Sequence, residues 1–144
     1  METEEQVFDS PEGWVADHIQ GYVQSDGETG HEWKGVNALL LTTRGRKSGK
    51  LRRTALYYGQ DEECYIVVAS NGGADSHPAW YLNLTESPDV QVQVQADKFA
   101  AKARTATADE KPRVWKIMAE LFPRYDIYRE GTGREIPVVI LERV

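Results

Sequence analysis

The sequence predicts an α+β fold that is mainly β, with six strands joined chiefly by tight turns into a small closed or split barrel and helices over its openings. Three observations predict it. Six short apolar or alternating stretches are bounded by Gly, Asn, Asp and Pro; apolar spacing of the helical kind occurs in few places; and the chain order α-βββ-α-ββ-α-β favours short antiparallel connections. With 144 residues, 40% of them hydrophobic and 28% charged, the chain suits one domain with a real core.

Ser10-Pro11-Glu12 reads as a helix start, with Ser10 as N-cap and Pro11 at the first helical position, where the missing N–H costs nothing. Trp14, Val15, Ile19, Tyr22 and Val23 share one face, that of a helix covering the core, and residues 25–30 form the polar loop after it. Strands follow at Val36–Thr43, Arg52–Tyr58 and Cys64–Ser70, joined by a basic glycine turn and then by Gly59-Gln60-Asp61-Glu62. Asn71-Gly72-Gly73-Ala74 breaks the third strand, and His77–Leu84 is a short helix opened by Pro78. Val90–Gln95 alternates as VQVQVQ with a solvated amide face, and a turn at Asp97 leads to a strand through Lys102–Thr105.

Thr107 and Glu110 have capping-box spacing, and Val114, Trp115, Met118, Leu121 and Phe122 form the apolar stripe of the helix they start, which Pro123 ends. Ile136–Glu142 is a closing strand whose near-continuous apolar run predicts burial on both faces. Residues 1–34 are read as a helix and loop within the same unit as the barrel at 35–144.

Charge is distributed unevenly. Arg44, Arg46, Lys47, Lys50, Arg52 and Arg53 fall in ten positions without an acid, while Met1–Lys34 carries −8 and Thr54–Val144 carries −4, for a net −6. A focused positive turn on a negative body predicts a small, multiply charged anionic ligand, and the net charge argues against nucleic acid. No apolar run approaches a membrane span, the N-terminus has no secretory pattern, and the single Cys64 can form no internal disulfide, so the cytoplasm is the expected location. Residues 1–34 carry one base against nine acids, so membrane contact is not favoured.

Gly45 and Gly49 bracket Arg46-Lys47-Ser48, a geometry that bends tightly and can present N–H groups with two cations to one anion; the P-loop spacing is missing. Arg52 and Arg53 point to opposite faces of a strand, so at most one joins that site on the barrel side. A solvated edge hairpin would also carry such charges. Ser70-Asn71-Gly72-Gly73 allows close approach of a ligand to the main chain, though it could be a mere turn. Trp80 and Tyr81, and Phe122, Tyr125 and Tyr128 at spacing three, are aromatic groups that form core more often than cofactor walls. Tyr125 and Tyr128 lie in the polar run PRYDIYREGTGR, which favours stacking on a flat ligand. His18, His31 and His77 lack the spacing of a metal site, and no nucleophile or carboxylate pair stands out, so chemistry would belong to a bound cofactor.

Taken together, Leu40-Leu41-Thr42-Thr43-x-Gly45-Arg46-Lys47-Ser48-Gly49, Leu56-Tyr57, Ala69-Ser70-x-Gly72-Gly73, Pro78-x-Trp80-Tyr81-x-Asn83-Leu84 and Pro88-x-Val90-x-Val92-Gln93 resemble the deazaflavin-dependent nitroreductase family of actinobacteria, from about Val36 to the C-terminus. The resemblance implies a six-stranded antiparallel split β-barrel like that of flavin reductases and pyridoxamine-phosphate oxidases, holding coenzyme F420, an 8-hydroxy-5-deazaflavin with a phospholactyl polyglutamate tail. It implies that Arg46, Lys47 and Ser48, with Arg52, hold the phosphate and tail, that Tyr57, Ser70, Ala79 and Trp80 surround the ring, and that Ala69 and Asn71 also belong to the cofactor site, with Asn71 on the phosphate side. It further implies that Tyr125 and Tyr128 line the substrate side, with Ser70, Tyr125 and Tyr128 as candidate proton donors. Relatives usually have Lys at Asn71, often Tyr at Phe122, and often Pro at Ala55. The implied function is hydride transfer to a quinone or nitroaromatic acceptor by a monomer or homodimer. A carrier of the deazaflavin or of a lipid-like ligand, and a reductase using FMN in the same barrel, are the competing readings.

Overall fold

The computed structural model describes residues 6–10, 13–33 and 36–144. In chain order the elements are β1 (Val7–Asp9), α1 (Gly13–Gln24), β2 (Glu32–Trp33), β3 (Val36–Arg44), β4 (Leu51–Tyr57), β5 (Gly59–Asp61), β6 (Cys64–Val68), a 3-10 turn (Asn71–Gly73), α2 (Ala79–Glu86), β7 (Asp89–Val94), β8 (Asp97–Thr105), α3 (Lys111–Leu121), α4 (Arg124–Gly131) and β9 (Val138–Arg143). The proposed N1 proline, Pro11, and the Trp14 side chain lie outside the described residues.

All six expected strands form, with ends displaced by a few residues. The architecture is mixed α+β and mainly sheet, but the six-stranded antiparallel count is corrected. Eight strands follow the path β1-β4-β3-β7-β8-β9-β6-β5, with β2 paired to β3 beside it; the path is open at both ends, and β1 pairs with β4 in parallel. The additional strands, β1, β2 and β5, span two or three residues each, too few to leave a periodic signal. Gly59–Asp61, expected as a turn, pairs with β6, so the chain reverses at Glu62-Glu63, where Glu62 takes a φ of 56°. Helix α4 was also not anticipated; its Ile127 is 63% exposed, which breaks the apolar stripe.

The sheet is covered on its two faces by different helices. Leu39 and Leu41 of β3, Val90 and Val92 of β7, Val67 of β6 and Val139 and Leu141 of β9 form the inner core. The alternate residues Ile66, Val68, Val138 and Ile140 pack beneath Val114, Trp115 and Met118 of α3 and Tyr125 of α4, so β9 is buried on both faces as its sequence requires. Leu40, on the reverse face of β3, packs against Val15, Ile19 and Tyr22 of α1. Each fully buried aliphatic side chain contributes roughly 1.5–3 kcal/mol.

Local bonds fix the ends of these helices. Ahead of α3, the Thr107 N–H donates to Glu110 Oε1 (3.0 Å) and the Glu110 N–H to Thr107 Oγ1 (3.3 Å), the reciprocal pair of a capping box. Tyr22 is fully buried; its hydroxyl accepts from the Gln95 N–H (2.6 Å) and donates to Gln93 O (3.3 Å), tying α1 to the end of β7. Gln93 is itself buried, unlike the solvated face expected for that strand. Tyr22→Phe leaves both backbone groups without this partner and is expected to lower stability by about 1–3 kcal/mol, read as a shift of the urea midpoint at unchanged slope.

Candidate active site

The chain reverses between β3 and β4 through Gly45–Lys50, and the turn is closed from within. The Gly45 N–H donates to Lys50 O (2.8 Å), the Gly49 N–H to Gly45 O (2.9 Å) and the Lys50 N–H to Ser48 Oγ (3.2 Å), while Arg44 Nη1 donates to Gly49 O (2.8 Å). Gly49 takes a φ of +72°, a left-handed backbone that a side chain would strain. The Arg46 N–H donates to Asn83 Oδ1 (3.1 Å), so four of the six turn amides are already engaged. Of the N–H groups expected at an anion, those of Lys47 and Ser48 have no acceptor among the described residues, and the side-chain cations stand beside them.

Asn83 is the residue that seats this turn. It is 4% exposed on α2; its Oδ1 accepts from the Arg46 N–H and from Arg46 Nη1 (3.0 Å), and its Nδ2 donates to Thr43 Oγ1 (3.1 Å). The register Thr43↔Arg52 and Leu41↔Thr54 puts Arg52 on the same face of the hairpin as Thr43. Arg53 faces the other way and is neutralised by Asp9 of β1 through two hydrogen bonds (2.6 and 3.2 Å), as opposite-face geometry demands. Arg52 lies over the Phe8 ring at 5.5 Å.

The other wall is aromatic. Phe122, where α3 ends, lies tilted at 5.0 Å against Tyr57 of β4 and edge-on at 4.9 Å against Tyr125, and Tyr128 stands 6.4 Å from both Phe122 and Tyr125. Tyr128 also lies against Gly73, where an added Cβ would come within 3.0 Å of the ring. Asn71 holds a φ of 49°, a left-handed conformation that Asn tolerates better than most side chains, and its Nδ2 donates to Ser76 O (3.1 Å). That geometry gives Asn a structural reason to stand at position 71.

Both walls belong to one cleft of about 1200 Å³. Arg46, Lys47, Ser48, Arg52, Tyr57, Ser70, Asn71, Ala79, Trp80, Tyr125 and Tyr128 all line it. Ala69 is the exception, fully buried with its N–H on Pro137 O. Tyr125 is 5% exposed, so it is a core residue as well as a cleft residue, against the expectation from its polar neighbourhood. Burial, followed by the neighbouring Tyr57 and Tyr128 phenols, pushes its pKa far above the ordinary value and keeps it neutral. Burial also raises Tyr57, with Tyr128 adding to it.

Asn83 and Arg134 were not anticipated as site residues. Asn83 stood inside a recognised motif, but its partners are 37 and 40 residues away, and such pairing is invisible in a linear pattern. Arg134 donates from Nε to Ala74 O (2.9 Å) and from Nη2 to Ala69 O (3.1 Å) and Ser70 O (2.8 Å). Its Nη1 lies 3.0 Å from His77 Nδ1; since a guanidinium only donates, the His77 ring is neutral with its proton on Nε2.

The sequence model of the F420H(2)-dependent quinone reductase family matches residues 14–143, nearly the whole chain. The chain belongs to this family. The F420H(2)-dependent quinone reductase Rv1261c of Mycobacterium tuberculosis is 38% identical to this family member over 130 residues, covering 88% of this chain and 87% of that protein. A solved structure titled F420-H2 dependent reductase (FDR-A) matches with a TM-score of 0.68 at 39% identity, covering 73% of this chain and 93% of the other. One titled a domain-swapped dimer matches at 0.72 and 35% identity, covering 92% and 100%. A structure from Listeria innocua titled for pyridoxamine 5'-phosphate oxidase, 11% identical with a TM-score of 0.51, covers 74% of this chain and 82% of its own and shares the fold alone.

Two expectations follow for this quinone reductase family member. Asn83→Ala removes the acceptor of two Arg46 bonds and should speed hydrogen exchange at the Arg46 amide while costing about 1–3 kcal/mol of stability. His77 is held below its ordinary 6.5 first by burial and then by Arg134, and burial lowers His31. The unfolded chain takes up these protons first, so stability is complete above 6.5 and falls as the pH drops below it. Urea midpoints should hold above about pH 6.5 and decline as the pH falls below it, and His77→Asn should flatten part of that slope.

Proposed function

We propose that this protein is an oxidoreductase that transfers a hydride from reduced coenzyme F420 to a quinone. The observation that carries the reading is the single cleft, in a chain of the F420H(2)-dependent quinone reductase family, that joins a cation-rich turn to an aromatic wall along β4. The residues present fit such a cofactor. A phosphate and an anionic tail suit Arg46, Lys47, Ser48 and Arg52, and a flat ring suits the space among Tyr57, Ser70, Asn71, Ala79 and Trp80. In the reduced form the cofactor supplies a hydride from its deazaflavin ring.

The protein's own part is geometric and electrostatic. The basic turn, seated by Asn83, anchors charge at a fixed distance from the ring site: Arg52 and Tyr57 are five residues apart on one strand, about 17 Å at strand rise. Tyr125 and Tyr128 wall the acceptor side and exclude water from it. Because burial keeps the Tyr125 phenol protonated, it holds a proton at Oη through neutral and moderately alkaline pH, as a donor to a reduced quinone oxygen must. Ser70, 9% exposed on the cleft wall, is the second proposed donor. The parts at 1–34 and 35–144 act as one unit in this reading, in the cytoplasm, as a monomer or homodimer. Among the described residues, no helix is long and apolar enough to cross a membrane.

Titration of the purified protein with F420 and with FMN, followed by ring fluorescence, should show tight binding of the deazaflavin, and mixing with reduced F420 and menadione should then oxidise the cofactor. Tight FMN binding with none of F420 would overturn the reading; binding without turnover would make the protein a carrier. Arg46→Ala should weaken F420 binding about tenfold, the scale of a lost charge-assisted contact. Tyr125→Phe, Tyr128→Phe and Ser70→Ala should lower turnover per bound cofactor by about tenfold or more wherever the hydroxyl transfers the proton; unchanged turnover removes that residue from the mechanism.

A further inference from the structure

We infer that Arg134 is a positioning residue for the cofactor, one that sets the ring side of the cleft without lining it. The inference rests on the reading of the cleft as the F420 site. Arg134 lies in the connection between α4 and β9, and its guanidinium donates to the carbonyls of Ala69, Ser70 and Ala74 and to His77 Nδ1, at 2.8–3.1 Å. Those four partners span the whole loop from the end of β6 to the start of α2. The loop carries Ser70 and Asn71 in its first half, and Pro78, Ala79 and Trp80 follow directly on it, all of them on the cleft wall.

Arg134 suits this task for three reasons. Its planar fork satisfies several carbonyls in one plane, which a lysine ammonium cannot do. Among the described residues it has no carboxylate partner, so its interactions are all with the loop or its own flank, where Glu135 O also accepts at 3.5 Å. The other contacts on the loop are the Gly73 N–H on Ser70 O (2.9 Å), the Ala74 N–H on Asn71 O (3.1 Å), Asn71 Nδ2 on Ser76 O, the Asp75–Thr132 contact at 3.1 Å, the Ala69 N–H on Pro137 O (2.9 Å), the His77–Tyr81 ring pair and Tyr128 against Gly73, and each of them holds one point where Arg134 holds four. Asn71 in a left-handed conformation further marks a backbone that its surroundings must hold in place. Because the same connection follows α4, Arg134 also registers the loop against Tyr125 and Tyr128, so ring site and acceptor wall share one fastening.

The experiment compares wild type, Arg134→Ala and Arg134→Lys by F420 titration, by turnover with menadione and by amide exchange at Gly73 and Ala74. Arg134→Ala should weaken F420 binding about tenfold or more, as expected when charge-assisted bonds that hold a loop are lost, and should speed exchange at Gly73 and Ala74 while β3 and β7 amides stay protected. Arg134→Lys should recover only part of the affinity, because it restores charge and not the fork. Wild-type affinity and loop exchange in Arg134→Ala would overturn the proposal, as would exchange that rises equally throughout the sheet, the mark of a general stability role. If Arg134→Ala does not fold, Arg134→Lys decides alone: unchanged affinity and loop exchange overturn the proposal, and a selective loss of both supports it. Failure of wild type to bind F420 would count against the cofactor reading, a separate result, and would also overturn the positioning role.

Discussion

Because β3 pairs with β4 on one edge and β7 on the other while both of its faces are buried, one strand sets three things at once. Leu39 and Leu41 enter the inner core, Leu40 receives α1 on the reverse face, and the strand's far end delivers the chain into the basic turn. A one-residue slip of its register would exchange Leu40 with Leu39 and Leu41 and turn every side chain of the strand to the wrong face. The pairing with β4 therefore sets Arg52 beside Thr43 and Arg53 against Asp9, and all of these lie along the cleft.

On that frame the site is assembled by two polar clasps of opposite kind. Asn83, a buried neutral amide, receives donors from Arg46 and gives one to Thr43, so α2 is pinned to the turn. Arg134, a cation, gives donors to carbonyls, so the α4–β9 connection is pinned to the loop before α2. Each matches the chemistry of what it holds: a turn rich in N–H and guanidinium groups needs an acceptor, and a loop with inward carbonyls needs a donor. Helix α2 lies between the two clasps and links the charged and aromatic halves.

What the sequence made legible follows from how local each signal is. The apolar run in β9, the Thr107–Glu110 spacing, the strand at β7 and the reversal at Gly45–Gly49 are all decided within a few residues and form as read, whereas the burial of Gln93 and the use of the turn amides depend on α1 and on Asn83. Strands β1, β2 and β5 are too short to show a period and exist because a longer neighbour offers an edge. Helix α4 was hidden because it is held by Phe122, Gly73 and α3 more than by its own stripe. Motif positions named eleven of the cleft-lining residues, yet the long-range partners of Asn83 and Arg134 required coordinates, since an amide or a guanidinium reads the same whether it is solvated or at the centre of four bonds.

The charge distribution has a consequence for kinetics. A cleft whose cations sit on an otherwise acidic surface repels a multiply anionic molecule from nearly every direction and attracts it at one mouth. Arrival is thereby steered, so the encounter rate with such a molecule is set by the ionic strength of the medium as much as by the shape of the pocket.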